Sequence, residues 1–277
     1  MPAAGGWVNG DAVFTGDNPT DEAVITYYQQ KRHIFGDLKI EILDSTGKVL
    51  GTVPSSKRRG LNRATWSMRL KAPRVPTAAS AAFGTASGPR VLPSTYTVRM
   101  TKDNNVYTTQ LVVTRDPRST YTALDRKAQF DLSMKLYSVL GDMTYAVDRI
   151  NGVRLALDAD AAKLPANDPL AARLRTASQQ VDELRKKIVA TKEGGAITGE
   201  ERLRENLATL YADVVYYEGR PTQMQLTRTD AIAHELSDVV RDFDAWLAKE
   251  LTGLNSALAA KQLPPIKVIT RADWEKE

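Results

Sequence analysis

Alternating apolar and polar residues mark short strands in the first third of the chain. Leu38, Ile40 and Ile42 alternate with Lys39 and Glu41, which predicts a strand with one face in the core and one in water. Other stretches rich in β-branched and aromatic residues lie at 23–28, 48–53, 62–70, 95–101 and 106–114. Turn residues separate these stretches, as in the hairpins of an antiparallel sheet. The pattern predicts an immunoglobulin-like or fibronectin-III-like antiparallel β-sandwich.

Beyond residue 118 the apolar spacing changes to that of amphipathic helices. Four stripes repeat at intervals of three and four residues. They run from Leu136 to Leu157, from Leu170 to Ile188, from Leu203 to Tyr217 and from Ile232 to Leu258. Connections with Gly or Pro separate them at 164–169, 193–200 and 218–222. Because short connections make neighbouring helices antiparallel, we expect a four-helix bundle or a pair of long helical hairpins.

These patterns predict a multidomain chain in which a β part precedes an α part. We expect the β-sandwich at 1–118, the four-helix bundle at 119–263 and an extended C-terminal arm at 264–277. A long, mobile loop is predicted within the sandwich at 71–92, where Pro, Ala, Ser and Gly accumulate and neither periodicity holds. Long loops inside compact domains often contact partners, so this one is either a contact surface or tolerated variation.

Composition places the chain among folded globular proteins, with 42% hydrophobic and 26% charged residues. No apolar stretch reaches the roughly 18 residues of a membrane-spanning helix, and the first residues do not resemble an export signal. We therefore predict no transmembrane segment and no signal peptide in this chain; a cleaved signal or a longer parent protein would give the same pattern. The lack of cysteine excludes disulfides and thiolate chemistry but leaves the compartment open.

The positive charge is concentrated in the β-rich part. Residues 1–118 contain 16 Lys and Arg against 9 Asp and Glu, whereas the remaining residues contain 22 against 24. A field of this sign favours an acidic partner, and we expect that partner to be a protein. The basic residues that we predict to bind it are Lys57, Arg58, Arg59, Arg63, Arg69, Arg74 and Arg90.

The segment GLNRATWSMRL, residues 60–70, raises the question of nucleic-acid binding because it combines arginines with a tryptophan. Its alternation places Trp66 on the same face as Ala64, and Arg63 and Arg69 on the other face. A strand tryptophan on the apolar face is a core residue rather than a stacking platform. We therefore predict no nucleic-acid partner, and we expect any recognition by this segment to come from the arginines.

Residues with the spacing of a catalytic or metal site do not occur in the sequence. The two histidines are His33, in a polar segment between strands, and His234, on the fourth helical stripe. Asp230 lies one turn from His234, but no second histidine stands at ligand spacing, so we expect an exposed helical histidine. Nucleophile elbows, phosphate loops and Glu-x-x-His metal motifs are also missing. We predict no catalytic residue, no cofactor and no metal, and hence a protein that is not an enzyme.

Five motifs follow one another in the β part of the chain: FTGDNPTDEAVITYY at 14–28, LKIEILDSTGKVLGTV at 38–53, GLNRATWSMR at 60–69, GPRVLPSTYTVRMT at 88–101 and VVTRDPR at 112–118. In this order they resemble the region that follows the β-propeller in bacterial VPS10/sortilin-like and BNR-repeat, sialidase-like proteins. The helical segments GRPTQMQ at 219–225 and LNSALAAKQLPPI at 254–266 are similar to the helical end of those proteins. The chain departs from the usual motifs at Thr20, Glu22, Ser67 and Ser94.

The resemblance implies the non-catalytic part of an exported, periplasmic or secreted protein, because the propeller that carries hydrolase activity in that family is not matched. We expect a scaffold for protein–protein interaction: an accessory subunit that docks on and stabilises a larger extracytoplasmic or membrane-associated assembly. The lack of a signal peptide in this sequence leaves a cytoplasmic location open. Two other functions stay open, the accessory region of a propeller glycoside hydrolase and a carbohydrate-binding module. The exposed aromatic residues of such a module would be Trp7, Tyr27, Tyr28 and Tyr121.

Overall fold

The structure, a computed structural model, describes residues 20–80, 82, 84–194 and 199–276. These residues form two compact units. The β unit contains the described residues up to Leu70 and the segment Arg90–Asp116. The helical unit contains the described residues of Lys71–Pro89 and those from Pro117 onwards.

The strands of the β unit build two antiparallel sheets. A two-stranded ribbon pairs β1 (Ala23–Gln29) with β4 (Gly60–Trp66). The other sheet has the order β3-β2-β5-β6. Its strands are β2 at Leu38–Leu43, β3 at Val49–Val53, β5 at Ser94–Lys102 and β6 at Asn105–Val113. Each of the six predicted stretches therefore contains a strand, close to its predicted bounds except at the end of β4.

The predicted immunoglobulin-like or fibronectin-III-like sandwich is wrong, because the ribbon is too small to be the second sheet of that fold. The sequence pattern predicts β4 up to residue 70, but the strand ends at Trp66. Met68 has a φ of 55°, a left-handed conformation that interrupts both the strand and its alternation. In the described residues beyond it, pairing continues only as an isolated bridge between Arg69 and Arg90, so the ribbon gains no third strand.

Trp66 lies in the core of the β unit, which confirms the inward direction that its alternation predicts. The residue is 5% exposed, and its ring contacts the ring of Tyr96 edge to face with the centroids 5.5 Å apart. Ile40, Ile42 and Val98 of the four-stranded sheet belong to the same buried cluster. The ribbon and the sheet thus share one set of apolar side chains, whose burial is the main favourable contribution to folding.

Glu41 departs from the simple alternation, which predicts a solvated side chain, because it is buried. Arg99, directly opposite on β5, donates a hydrogen bond of 2.8 Å to the Glu41 carboxylate. Lys39 forms an ion pair with the same carboxylate. The hydrogen bonds from Lys39 and Arg99 lower the pKa of Glu41 below its ordinary value of 4.5, which outweighs the effect of burial.

Replacing Glu41 with glutamine is expected to lower the free energy of unfolding by about 1.5–3 kcal/mol at pH 7, the usual contribution of hydrogen bonds to a charged group. Because the folded pKa lies below 4.5, this stabilisation is present above that pH and is lost as the pH falls through the folded value. Stability should therefore decrease less steeply in the variant than in the wild type below pH 4.5. Urea unfolding at several pH values measures both effects, and parallel pH profiles would contradict them.

The helical unit is built around one long helix, α1, at Ala123–Ala162. The other helices are α2 at Pro169–Ile188, α3 at Leu203–Val215, α4 at Gln223–Trp246, α5 at Thr252–Ala260 and α6 at Arg271–Trp274. A π-helical turn at Leu247–Leu251 joins α4 to α5. Thr122, Asp168 and Thr222 cap the N-termini of α1, α2 and α4 with their side-chain oxygens.

The predicted four-helix bundle is wrong. α1 has 40 residues, whereas α2, α3 and α4 have 20, 13 and 24, so the helices do not form the matched antiparallel set of a bundle. The predicted fourth helix is also interrupted by the π-helical turn. The apolar stripes themselves are buried: Leu136, Leu174, Leu207 and Ile232 are inaccessible to solvent. A stripe determines which face of a helix is buried, but it determines neither the length of the helix nor the number of its neighbours.

The segment Lys71–Pro89, which the sequence predicts as part of a mobile loop, contacts α3 within the helical unit; we call it the strap. Arg204 of α3 donates hydrogen bonds to the carbonyls of Pro76 and Ser80, each at 2.9 Å. Tyr211, two turns further along α3, donates to the carbonyl of Ser87 at 2.9 Å. These bonds hold a segment that has no helix or strand in its described part.

The described part of the predicted C-terminal arm is attached to the helical unit at two points. Trp274 in α6 is buried, and its indole Nε1 donates a hydrogen bond of 2.8 Å to Asp148 on α1. Ile266 is also buried, and its amide donates to the side chain of Asn255 on α5 at 2.9 Å. The segment therefore contributes to the core of this unit.

Candidate docking surface

Three connections of the β unit meet at one end of its sheets. The β1–β2 connection covers 30–37, the β3–β4 connection covers 54–59, and the β5–β6 turn covers 103–104. Gln29 pairs with Gly60, and Leu38 pairs with Lys102, so antiparallel pairing brings the three connections together. We call the surface formed by these connections and the adjoining strand ends the loop end.

Hydrogen bonds link the three connections to one another. The amide of His33 donates to the carbonyl of Lys57 at 3.0 Å, and the amide of Asp103 donates to the carbonyl of Asp37 at 3.2 Å. The Nζ of Lys57 donates to the carbonyl of Gly36 at 2.6 Å. The loop end therefore has a well-defined backbone although its connections contain no strand or helix.

Gly36 and His33 shape the tip of the β1–β2 connection. Gly36 has a φ of 81°, which strains any residue with a side chain, and a Cβ at this position would lie 2.1 Å from Oδ1 of Asp103, so the Asp103 side chain would have to move. His33 is buried although it lies in a polar stretch of sequence. Its Nε2 is 3.7 Å from Oδ1 of Asp103, beyond hydrogen-bond distance. Ile34 and Phe35, which lie between His33 and Gly36 in the chain, face solvent.

Large apolar side chains are exposed at the loop end. Phe35 is 85% exposed and Ile34 is 68% exposed. Tyr28 and Leu61 pair directly across the ribbon, and both are exposed on its outward face. Exposed apolar side chains grouped in this way mark contact sites, whereas isolated ones are common on any surface.

Basic side chains accompany these apolar residues. The loop end carries Lys31, Arg32, Lys57, Arg58, Arg59 and Lys102. The same connections contain two carboxylates, Asp37 and Asp103. Within the described part of the chain, Arg58 and Arg59 form no ion pair, so their charge is not compensated locally. The loop end thus combines an apolar tip with an excess of positive charge.

The structure brings together four of the seven residues that we predict to bind a partner. Lys57, Arg58 and Arg59 belong to the β3–β4 connection, and Arg63 is exposed on the outward face of β4. The other three lie elsewhere. Arg69 and Arg90 form the isolated bridge beyond the opposite end of β4, and Arg74 belongs to the strap of the helical unit.

Sequence reasoning missed Lys31, Arg32, Ile34 and Phe35. A signal was available in the run KRHIFG, in which two basic and two apolar residues flank a histidine and precede a glycine. The run joins 57–59 only after β1 has paired with β4, which is distant in the sequence. Periodicity within a single strand does not report such a pairing.

The residues considered for carbohydrate or metal binding do not come together in the part of the chain that the structure describes. Tyr28 is exposed, but Tyr27 is buried and donates a hydrogen bond to the carbonyl of Ser56. Tyr121 belongs to the helical unit, and Trp7 lies outside the described residues. His234 is exposed on α4, as predicted. Among the described residues, no three side chains of His, Asp or Glu are placed to hold a metal ion.

No protein-family model, curated protein or solved structure matches this chain. None of the helices formed by the described residues combines the length and the apolar character needed to cross a membrane.

Proposed function

We propose that the protein is a non-catalytic accessory subunit that docks on a larger protein assembly through the loop end. The observation that carries this proposal is Phe35, which is 85% exposed in a connection held by hydrogen bonds to Lys57 and Asp103. A large apolar side chain held in water is unfavourable until another surface covers it. Because hydrogen bonds hold the β1–β2 connection in place, it cannot easily rearrange to bury the Phe35 side chain within the chain itself.

The loop end has the residue types from which protein interfaces gain most of their affinity. Burial of Phe35 and Ile34 in a partner would contribute about 1.5–3 kcal/mol for each side chain. Aromatic residues and arginines dominate interface hot spots, and Arg58 and Arg59 lie in the adjoining connection. Because the backbone is already ordered, little conformational entropy is lost on binding.

The partner that fits the loop end is a protein surface with an apolar recess and surrounding carboxylates. Such carboxylates complement the uncompensated arginines, accelerate association and make it sensitive to salt. The resemblance to regions that follow a propeller supports an extracytoplasmic or membrane-associated assembly as the place of docking.

Photo-cross-linking in the native source tests this proposal. A photoreactive amino acid at position 35 is expected to capture one acidic protein in stoichiometric amount. The same amino acid at position 45 is the control, because this exposed turn follows β2 at the end opposite the loop end. Position 45 should not capture that protein. Sedimentation of the chain with anionic vesicles, without any cross-linked protein, would overturn the proposal in favour of a lipid surface.

Replacing Phe35 with serine is expected to weaken binding of the captured partner at least roughly tenfold, because a hot-spot side chain contributes about 2 kcal/mol or more. The free energy of unfolding should change by less than about 0.5 kcal/mol, since the side chain faces solvent. Leu124→Ser is the matched control, as Leu124 is similarly exposed but belongs to the helical unit. Surface plasmon resonance measures the affinities. Equal affinity of Phe35→Ser and the wild type would exclude the loop end as the docking surface.

A further inference from the structure

The helical unit contains a cavity of about 350 Å³ beside α1. Tyr137, Ser138 and Gly141 of α1 line it together with Arg271 and Trp274 from the C-terminal segment. Met134 of α1 and Arg74 of the strap also line it. A cavity of this volume is within the usual range of small-molecule sites, at its lower end.

Gly141 keeps the α1 side of this cavity open. It lies within the long helix α1, where glycine is less stable than alanine. A Cβ at this position would meet no other atom within 4 Å, so packing does not require a glycine here. Any larger residue would project into the cavity. Gly152 of the same helix is equally unobstructed, but it does not line the cavity.

Trp274 is buried beside the cavity, forms part of its lining and is held firmly. Its indole Nε1 donates to Asp148 at 2.8 Å. The guanidinium of Arg271 lies 5.0 Å from the centre of the ring. Arg271 in turn forms ion pairs with Asp142 at 3.0 Å and with Glu275 at 2.7 Å, so its positive charge is already compensated.

Arg74 supplies the cavity with a cation that is not compensated. Its guanidinium lies 4.4 Å from the centre of the Trp274 ring and donates one hydrogen bond, from Nη1 to the carbonyl of Trp274 at 3.0 Å. No carboxylate in the described residues forms an ion pair with it. A guanidinium has five N–H donors, so four remain for another acceptor. The hydroxyls of Tyr137 and Ser138 also have no hydrogen-bond partner among the described side chains and backbone groups.

We infer that this cavity binds a small molecule with a single carboxylate on an apolar body. A carboxylate matches the planar donors of Arg74, and the hydroxyls of Tyr137 and Ser138 can donate to its oxygens. Met134 and the ring of Tyr137, which line the cavity and are partly exposed, offer surface to the apolar body. A ligand with more negative charge would be repelled by Asp142 and Glu275, which Arg271 holds nearby. The site is independent of the loop end.

Titration of the full chain, followed by nuclear magnetic resonance of the Trp274 indole N–H, tests this inference. The probes are acetate, octanoate, phenylacetate, neutral phenylacetamide and inorganic phosphate. Phenylacetate or octanoate is expected to shift the resonance saturably. Acetate and phenylacetamide should bind at least tenfold more weakly, because each lacks one of the two features. A resonance that none of the monocarboxylates shifts, equal binding of the amide, or competition by phosphate would overturn the inference.

Three variants separate binding from folding. Gly141→Ala and Gly152→Ala are both expected to unfold at a higher temperature than the wild type, because alanine is the better helix former. Only Gly141→Ala should weaken binding of the carboxylate probe, by at least tenfold. Arg74→Gln should remove the preference for the carboxylate over the amide. Equal probe affinities in the two alanine variants, or an unchanged preference in Arg74→Gln, would contradict a carboxylate site in this cavity.

Discussion

Alanine in place of Trp66 is expected to lower the free energy of unfolding of the β unit by about 3–5 kcal/mol, the usual effect of removing a buried large aromatic side chain. The residue is 5% exposed and contacts Tyr96 edge to face. Because the surrounding strands belong to two separately hydrogen-bonded sheets, they cannot move together freely to fill the cavity that alanine would leave. Urea unfolding followed by circular dichroism measures the change.

Leu61→Ala in the same strand is the control for this experiment. Leu61 is exposed on the outward face of the ribbon, so its replacement should change the free energy of unfolding by less than about 0.5 kcal/mol. Similar losses in the two variants would show that the alternation of β4 does not separate core from surface. A clear difference would also argue against nucleic-acid binding by this segment, because a tryptophan that stabilises the core is not available to stack on bases.

The strands of the β unit were predictable from local pattern, whereas their arrangement was not. Alternation and runs of β-branched and aromatic residues are local properties of the sequence, and together they located the described strands close to their observed positions. The prediction of a sandwich is wrong partly because β4 is shorter than predicted. Met68 has a left-handed backbone, and β4 ends at Trp66 instead of at residue 70. Residues 67–70 still alternate in sequence, so no count of apolar residues reveals that conformation.

In the helical unit, too, the buried faces of the helices were predictable from the local sequence, whereas contacts between distant residues were not. The stripe residues are buried, because a repeat of three and four residues defines one face of a helix. Tyr217 ends the third predicted stripe but is exposed, since α3 stops at Val215. The strap was assigned to the β part because it follows strands in the sequence. Its contacts with Arg204 and Tyr211 are made across more than 100 residues and leave no periodic signal.

Only some of the residues of the loop end were predictable from the sequence. The basic run from Lys57 to Arg59 stands out by composition, and the structure places it at a strand connection. Phe35 stands out only when the structure shows its side chain to be exposed, because a lone Phe between strands is as compatible with the core as with the surface. Prediction of this site therefore requires the pairing of β1 with β4 and not only the strands themselves.

Replacing Arg204 with alanine is expected to destabilise the helical unit by about 3–5 kcal/mol, the usual effect of removing one partner from a buried charged network. Arg204 is buried in α3, donates to the carbonyls of Pro76 and Ser80 in the strap, and pairs with Glu205 at 2.8 Å. Alanine would leave these acceptors without their donor. Urea unfolding measures the loss of stability, and tryptic cleavage at Lys71 or Arg74 under native conditions reports release of the strap.

Arg202→Ala is the matched control, because Arg202 lies one residue before α3 but is exposed in its ion pair with Glu200. An exposed pair contributes little to stability because solvent screens it, and this variant should keep the strap protected from trypsin. If Arg204→Ala lost stability without faster cleavage of the strap, Arg204 would stabilise α3 alone. Faster cleavage with unchanged unfolding would mean that the strap only lies on the surface. The combined loss is expected because the hydrogen bonds of one buried guanidinium join the strap to α3, so neither can be released without exposing the other.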